Sequence, residues 1–254
     1  MIVVDHIAKS FDGVAVLKGI SAQFEKGKTN LIIGQSGSGK TVFLKCLLGL
    51  LQIDSGSILF DGQMLKKMDL TQRTQLRQEM GMVFQGSALF DSMTVLENII
   101  FPMRMFTRKS EEEMQDRANE VIKRVNLINA NNKMPDEISG GMKKRVAIGR
   151  AIVMNPKYLF CDEPNSGLDP NTAILIDELI HEITQEYNIT TIINTHDMNS
   201  VIQIGEKIVF LKEGHKAWEG TKSEIFETDN EAVTEFVYSS ELLKKVRRVQ
   251  LKKG

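Results

Sequence analysis

Short apolar runs separated by turn residues dominate the first sixty positions of the chain. Runs of this length, bounded by glycine or aspartate, are typical of β-strands. We predict strands at 2–4, 21–24, 30–33 and 58–60. A turn is expected at 54–57, and Asp61-Gly62 favours a tight turn after the last strand. The pattern therefore predicts an antiparallel β subdomain at the N-terminus.

Helical periodicity replaces the strands from about 93 to 155. Ser110 followed by three glutamates predicts a helix start, because a serine caps a helix and negative charge suits its first turn. The apolar positions that follow share one helical face. They are Val121, Ile122, Val125, Leu127 and Ile128. Another helix is predicted from Ser139 to about Met154, so we expect an inserted helical subdomain over about 87–155.

Strands and helices alternate again after position 157. Strands are predicted at 158–161, 190–194 and 207–211, and helices at 172–186 and 198–204. A further strand is predicted at 82–85. This alternation predicts an α/β fold with a mostly parallel sheet. We expect one domain over 1–225 and a basic helical tail over 226–254.

A phosphate-binding pattern follows the predicted strand at 30–33. Residues 34–41 match the P-loop spacing, in which backbone N–H groups and the next helix N-terminus surround a phosphate chain. Lys40 can reach the β- and γ-phosphates, and the Thr41 hydroxyl can bind Mg²⁺. The predicted ATP-binding residues of this loop are Gly34, Gln35, Ser36, Gly37, Ser38, Gly39, Lys40 and Thr41. The sequence therefore predicts a P-loop NTPase core.

Composition restricts the class of protein in which this nucleotide site occurs. The chain has 254 residues, of which 42% are hydrophobic and 26% charged, as in ordinary globular proteins. Its net charge of −1 offers no general attraction to nucleic acid. The N-terminus lacks the pattern of a signal peptide, and no segment has the length of a membrane span. We expect two reduced, buried cysteines, Cys46 and Cys161, and contact with a membrane only through a partner.

Two acidic residues, Asp162 and Glu163, end the predicted strand at 158–161. If that strand lies next to the P-loop strand, both carboxylates reach the edge of the sheet where ligands bind. Asp162 is then a Mg²⁺ ligand and Glu163 a general base for the attacking water. Gln85 and His196 also end predicted strands. Each is either a hydrogen-bonded loop residue or a group that faces the γ-phosphate, with Gln85 near the metal and water.

The segment from Ile138 to Ala151 resembles the signature motif of ATP-binding cassette (ABC) proteins. The resemblance extends over roughly 1–220 and implies a head-to-tail dimer, in which one copy caps the ATP bound by the other. The residues it assigns to that cap are Ser139, Gly140, Gly141 and Met142. The resemblance implies that Gln85 is the residue of the Q-loop and that His196 is the switch histidine. The residues it implies for the D-loop are Ser166, Gly167, Leu168 and Asp169. Phe11 resembles the aromatic residue that stacks on adenine, with a core position in a β-hairpin as the alternative.

Met142 stands where most ABC signatures have glutamine. Ser-Gly-Gly-Met and the segment 86–98 resemble the Mla-type ATPases that work with MCE-protein lipid transporters. This resemblance implies a peripheral subunit on the cytoplasmic face of a bacterial inner membrane, with ATP and Mg²⁺, integral permease subunits and an MCE-type protein. It also implies phospholipid cargo, with a polar-solute importer, for example for amino acids, as the alternative. The apolar residues Leu89, Phe90, Met93 and Phe101 are either permease-contacting surface or subdomain core.

Other functions remain open from the residues alone. A soluble ABC ATPase of DNA repair or translation is one alternative, although the chain shows no coiled coil, zinc-binding cysteines or second cassette. A P-loop kinase is another, but it would leave the signature segment and His196 without a role. The basic residues after position 240 belong either to a solvated helix or to an arm that contacts a partner subunit or anionic lipid.

Overall fold

The structure is a computed structural model that describes residues 1–238. Its strands are β1 Ile2–Phe11, β2 Val14–Phe24, β3 Thr29–Ile33, β4 Ser55–Phe60, β5 Gln63–Met64, β6 Met80–Val83, β7 Tyr158–Asp162, β8 Thr190–Thr195, β9 Lys207–Lys212 and β10 His215–Gly220. Its α-helices are α1 Lys40–Leu47, α2 Leu70–Gln78, α3 Val95–Phe106, α4 Glu111–Arg124, α5 Gly140–Ile152, α6 Pro170–Glu186, α7 Met198–Ile204, α8 Glu224–Glu227 and α9 Glu231–Val237.

The N-terminal strands form the predicted antiparallel sheet, in the order β2-β1-β4-β5. The turn predicted at 54–57 is wrong in part, because Ser55 and Ser57 pair with β1 and belong to β4. Asp61 and Gly62 form the predicted tight turn between β4 and β5, with φ of 46° and 83°. Positive φ at both central positions suits a two-residue hairpin loop.

The second sheet has the order β10-β9-β3-β8-β7-β6 and is parallel except for the β9–β10 pair. The sequence expectation that β7 lies next to the P-loop strand β3 is wrong, because β8 lies between them. Every residue of β8 is buried, as expected for a strand covered on both faces and paired on both edges. An alternating β/α pattern predicts parallel pairing, but it carries no information on the order of the strands.

The helices α3, α4 and α5 pack on one another and share a continuous core with β7, β8 and α6. Ser110 caps α4 as predicted, since its Oγ accepts from the Glu113 N–H at 3.2 Å while the Glu113 carboxylate accepts from the Ser110 N–H at 2.7 Å. The predicted apolar stripe is buried except for Ile128, which is 76% exposed. Because α4 ends at Arg124, the helical period does not extend to Ile128.

The final described helix, α9, packs against β9 and β10, and the centroid of the Phe236 ring lies 5.2 Å from that of Phe210 in β9. Residues 226–238 of the predicted tail are described and include the end of α8 and all of α9, whereas the basic residues after position 240 lie outside the described residues. Between 1 and 238, no helix combines the length and the apolar character needed to cross a bilayer.

Candidate active site

The P-loop joins β3 to α1 at the carboxyl edge of the parallel sheet. Gly34 adopts a φ of 153°, and a Cβ atom there would lie 2.3 Å from the carbonyl oxygen of Leu211. Only glycine fits this position. Gly39 is the N-cap of α1 and provides no side-chain cap, so the first N–H groups of that helix are open to a ligand.

Lys40 is buried, with 8% of its surface exposed. Its ammonium donates to the carbonyl oxygens of Gly34 at 2.8 Å and Gln35 at 3.1 Å. Burial lowers the pKa of Lys40, while the charges of Glu163 and Asp162 act in the opposite direction. Within residues 1–238, the buried Ser38 hydroxyl has no hydrogen-bond partner. A buried ammonium suits an anionic ligand such as a phosphate chain.

A cavity of about 860 Å³ opens above the P-loop. The cavity is lined by residues that are far apart in the sequence. From the P-loop these are Gln35, Ser36, Gly37, Gly39, Lys40 and Thr41, and from later segments Gln85, Asp162, Glu163 and His196. Val16, Val42 and Phe236, which the sequence did not single out as site residues, complete the lining. The site therefore unites the predicted phosphate-binding, acidic and strand-end residues.

The acidic pair is held by the neighbouring strand β8. The amide of Asn194 donates to Asp162 Oδ1 at 3.1 Å, and the Glu163 N–H donates to the Asn194 carbonyl at 3.0 Å. Glu163 adopts a left-handed φ of 48°, which is uncommon outside glycine and is typical of constrained functional positions. Its Oε1 lies 2.8 Å from Nδ1 of the exposed His196. The pair is therefore pre-arranged at the rim of the cavity.

Gln85 lies two residues beyond β6, so the predicted strand at 82–85 is too long at its end. Its side-chain amide donates to the Ser166 hydroxyl at 3.3 Å, which links the predicted Q-loop to the predicted D-loop. Lys144, buried in α5, donates to the main-chain carbonyl of Gln85. Arg150 of α5 donates to the carbonyls of Ser87 and Ala88, each at 2.8 Å.

The contacts from α5 to the Q-loop were missed from sequence. The signal that could have pointed to Lys144 is a lysine at a buried position of an otherwise apolar helical face. Its partner, a main-chain carbonyl 59 positions away, leaves no mark in the sequence.

The predicted signature residues begin α5 and do not line the cavity. Ser139 is the N-cap, and its Oγ accepts from the Met142 N–H at 3.2 Å. Ser139 and Gly140 are both exposed. Beside them, Asp169 caps α6 and accepts from the Thr172 N–H at 3.1 Å. Hydrogen bonding from the Thr172 side chain and from its N–H lowers the pKa of the Asp169 carboxyl. The structure thus places the signature next to the predicted D-loop and away from the P-loop of the same chain.

Phe11 also lies outside the residues that line the cavity. It is 40% exposed, so the alternative of a core position is wrong. The Lys9 ammonium lies 5.3 Å from the centroid of its ring. Stacking on adenine stays a prediction.

The apolar residues after Gln85 divide between core and surface. Leu89 packs against the core, whereas Phe90 is 40% exposed and lies 4.5 Å from the ring of Phe101. The exposed Met105 and Phe106 occupy the end of α3 in the same subdomain. Leu89 therefore belongs to the subdomain core and Phe90 to the surface, and contact of this surface with a permease stays a prediction.

A Mg²⁺ ion fits this cavity only with help from the nucleotide. Among residues 1–238, no group of three His, Cys, Asp or Glu side chains that could hold a metal is found. The cavity instead offers a hydroxyl from Thr41, an amide from Gln85 and a carboxylate from Asp162. Magnesium is commonly bound by one or two protein oxygens together with phosphates and water, and these residues suit that mode.

Comparison with known proteins gives the family. A family model described as "ABC transporter" matches residues 17–166, more than half of the chain. The chain belongs to the ABC transporter family. It is the ATP-binding subunit of an ABC transporter and an ABC-type ATPase, which confirms the predicted fold class and activity.

Relatives of this ABC subunit carry different printed names. It is 35% identical over 234 residues to the probable ribonucleotide transport ATP-binding protein Mkl of Mycobacterium leprae, covering 92% of this chain and 67% of that one. It is 37% identical over 226 residues to the methionine import ATP-binding protein MetN of Clostridioides difficile, covering 89% and 70%. The post-hydrolysis dimer of the ATP-binding cassette MJ0796, bound to ADP and Pi, superposes with a TM-score of 0.79 at 31% identity, covering 87% of this chain and 99% of that one.

Proposed function

We propose that two copies of this ABC subunit form a head-to-tail dimer, in which Ser139 and Gly140 of one copy close on the ATP bound by the other. The exposure of both residues, and their position outside the cavity of their own chain, support this arrangement. A helix N-terminus with a serine cap suits an anionic ligand. The solved MJ0796 cassette, similar to this chain, is dimeric.

The residues of the cavity have separate roles in this proposal. Lys40 and the P-loop N–H groups bind the phosphates. Thr41, Asp162 and Gln85 would hold Mg²⁺, which would supply positive charge that stabilises the phosphates. Glu163 accepts the proton of the attacking water, and His196 orients the Glu163 carboxylate through the 2.8 Å contact. This contact is the observation that carries the assignment of Glu163.

For cargo, we infer phospholipid moved between membranes, with the subunit bound to a permease and an MCE-type protein on the cytoplasmic face of a bacterial inner membrane. The support is the sequence alone, namely Met142 in the signature and the segment 86–98. The exposed Phe90 and Phe106 are available for contact with a permease. A polar-solute importer is the second candidate, favoured by the likeness to MetN.

The catalytic assignment is tested with Glu163→Gln, which keeps the size of the side chain and removes the basic carboxylate. We expect ATP binding within twofold of the parent, turnover reduced by at least about 100-fold, in the range of losses measured for removal of a general base, and a stable dimer in ATP. Turnover at the parent rate would exclude Glu163 as the base.

The cargo is tested by purifying the subunit with its permease from membranes and identifying the accessory proteins and co-purifying lipids. An MCE-type protein with bound phospholipid is expected. A periplasmic amino-acid-binding protein in its place would overturn the lipid assignment and leave the ATPase assignment intact.

A further inference from the structure

Three buried polar side chains lie behind the Glu163–His196 pair. Asn165, Asp177 and Ser200 are 7%, 2% and 1% exposed. The Asn165 amide donates to Asp177 Oδ2 at 3.1 Å and to Ser200 Oγ at 3.0 Å. The Ser200 hydroxyl donates to Asp177 Oδ2 at 2.6 Å. We call these three residues the buried triad.

The triad joins three segments that are separate in the sequence. Asn165 lies two residues after Glu163, with Pro164 between them, and Ser200 lies four residues after His196. Asp177 comes from α6, which carries neither of the paired residues. A single carboxylate oxygen therefore accepts hydrogen bonds from both segments that carry Glu163 and His196.

The triad also borders the catalytic pair through space. A second cavity of about 780 Å³ is lined by Glu163 and His196 together with Asn165 and Asp177. Glu163 and His196 thus form the wall between this cavity and the one above the P-loop. Asp177 itself lines only the second cavity, so it has no direct access to the P-loop.

Burying a carboxylate at position 177 costs free energy of folding, which suggests that this side chain has a functional role. Asp177 shares α6 with the buried Ile176, Leu179 and Ile180, and an apolar residue there would avoid the desolvation of a charge. Within the described chain, its second oxygen, Oδ1, has no hydrogen-bond partner. Burial raises the pKa of Asp177 to about 6, against the hydrogen bonds from Ser200 and Asn165. The other titratable groups that face it are Asp197, before α7, and the buried Cys161 thiol of β7.

We propose that Asp177 is a positioning residue for ATP hydrolysis, which holds the Glu163 loop and the start of α7 at the separation that the Glu163–His196 contact requires. The proposal rests on the proposed roles of Glu163 and His196. Without Asp177, Asn165 and Ser200 lose their shared acceptor. The two segments are then joined here only by the Asn165 amide, through its bonds to Ser200 Oγ at 3.0 Å and Asp197 Oδ2 at 3.5 Å, and are held less firmly. The predicted ATP-binding residues of the P-loop lie between β3 and α1 and at the start of α1, and none of them bonds to the triad.

The test compares Asp177→Leu, which removes both accepted hydrogen bonds, with Asp177→Asn, whose amide oxygen accepts both. ATP turnover and ATP affinity of the full chain are measured for each. We expect Asp177→Leu to lower kcat at least tenfold with KM for ATP within twofold of the parent, and Asp177→Asn to keep kcat within threefold. Thr184→Val is the matched control, because Thr184 is a buried polar residue of the same helix that bonds Ile180 and Thr191 instead. It is expected to leave kcat unchanged.

Two outcomes would overturn the proposal: a kcat within twofold of the parent for a folded Asp177→Leu, or equal losses for Asp177→Leu and Asp177→Asn. If Asp177→Leu does not fold, Ser200→Ala replaces it, with a kcat loss of at least threefold expected and no loss contradicting the proposal. Glu163→Gln is measured in parallel. If it turns over ATP at the parent rate, the proposed function fails; if it is inactive while Asp177→Leu is normal, only the role of Asp177 fails.

Discussion

A Cβ atom on Gly141 would lie 2.7 Å from Cγ2 of Thr172, so a side chain at this point between the signature helix and α6 would force Thr172 to move. The neighbouring Gly140 differs, because its Cβ would meet only Leu168 Cδ2 at an ordinary 3.6 Å. The two signature glycines are therefore needed for different reasons. Gly141 is required for packing within one chain, and Gly140 leaves space at an exposed surface.

We expect Gly141→Ala to destabilise the protein by about 1–3 kcal/mol, the usual range for overpacking. Adding Thr172→Ser, which removes Cγ2, should restore most of that stability. Gly140→Ala is the control, with unchanged stability but reduced ATP turnover if Gly140 faces phosphate in a dimer. Thermal unfolding and ATPase assays separate these effects. A Gly141→Ala protein as stable as the parent would contradict the packing argument.

Lys40→Met keeps the aliphatic part of the side chain and removes the ammonium. Charge-assisted hydrogen bonds contribute about 1.5–3 kcal/mol each, so the loss of those to phosphate should weaken ATP binding roughly 100-fold or more. Calorimetric titration with ATP measures the change in affinity. Lys45→Met, an exposed change in the same helix, should bind like the parent. Equal affinities for both variants would argue against the P-loop assignment.

Lys144→Met removes the donor that holds the Gln85 carbonyl. An unpaired carbonyl costs about 1–3 kcal/mol, and the Q-loop can relieve it by moving Gln85 away from the cavity. We expect kcat to fall about tenfold, while overall stability changes little, because burial already lowers the pKa of Lys144 and disfavours its charge. Lys143→Met, which removes a neighbouring lysine outside this contact, serves as the control. Parent turnover in Lys144→Met would show that this bond does not position Gln85.

The stability of the protein should depend on pH through Asp177. Its folded pKa of about 6 exceeds the ordinary 3.8, so the folded state binds this proton more tightly. The resulting stabilisation is complete below pH 3.8 and is lost as pH rises through 6. The difference corresponds to about 3 kcal/mol, at 1.36 kcal/mol for each pH unit.

Asp177→Asn has no titrating group at this position. Its free energy of unfolding relative to that of the parent should therefore rise between pH 4.5 and 7.5, because the parent loses stability over this range. Urea unfolding at several pH values measures the difference between the two free energies of unfolding. Asp116→Asn, a change at an exposed acid of α4, is the control. A constant difference across this range would show that Asp177 does not titrate as described.

The sequence was sufficient for features that depend on neighbouring residues. The P-loop, the Ser110 cap and the bounds of α7 follow from local spacing, and the structure confirms them. Contacts between distant segments were not predictable in the same way. Asp177 and Ser200 are 23 positions apart, and Lys144 and Gln85 are 59 apart, so nothing in either local pattern names the partner.

The strand β8, inserted between β3 and β7, sets the width of the catalytic centre. Adjacent strands lie about 4.8 Å apart, so the ends of β3 and β7 are separated by roughly 10 Å. A triphosphate end and a hydrated cation can lie in that gap, whereas direct neighbours would press two carboxylates against the phosphates. His196 follows β8 and therefore stands over the middle of the gap. By separating β3 from β7, β8 leaves a gap at the carboxyl edge of the sheet that is wide enough for the phosphates of ATP.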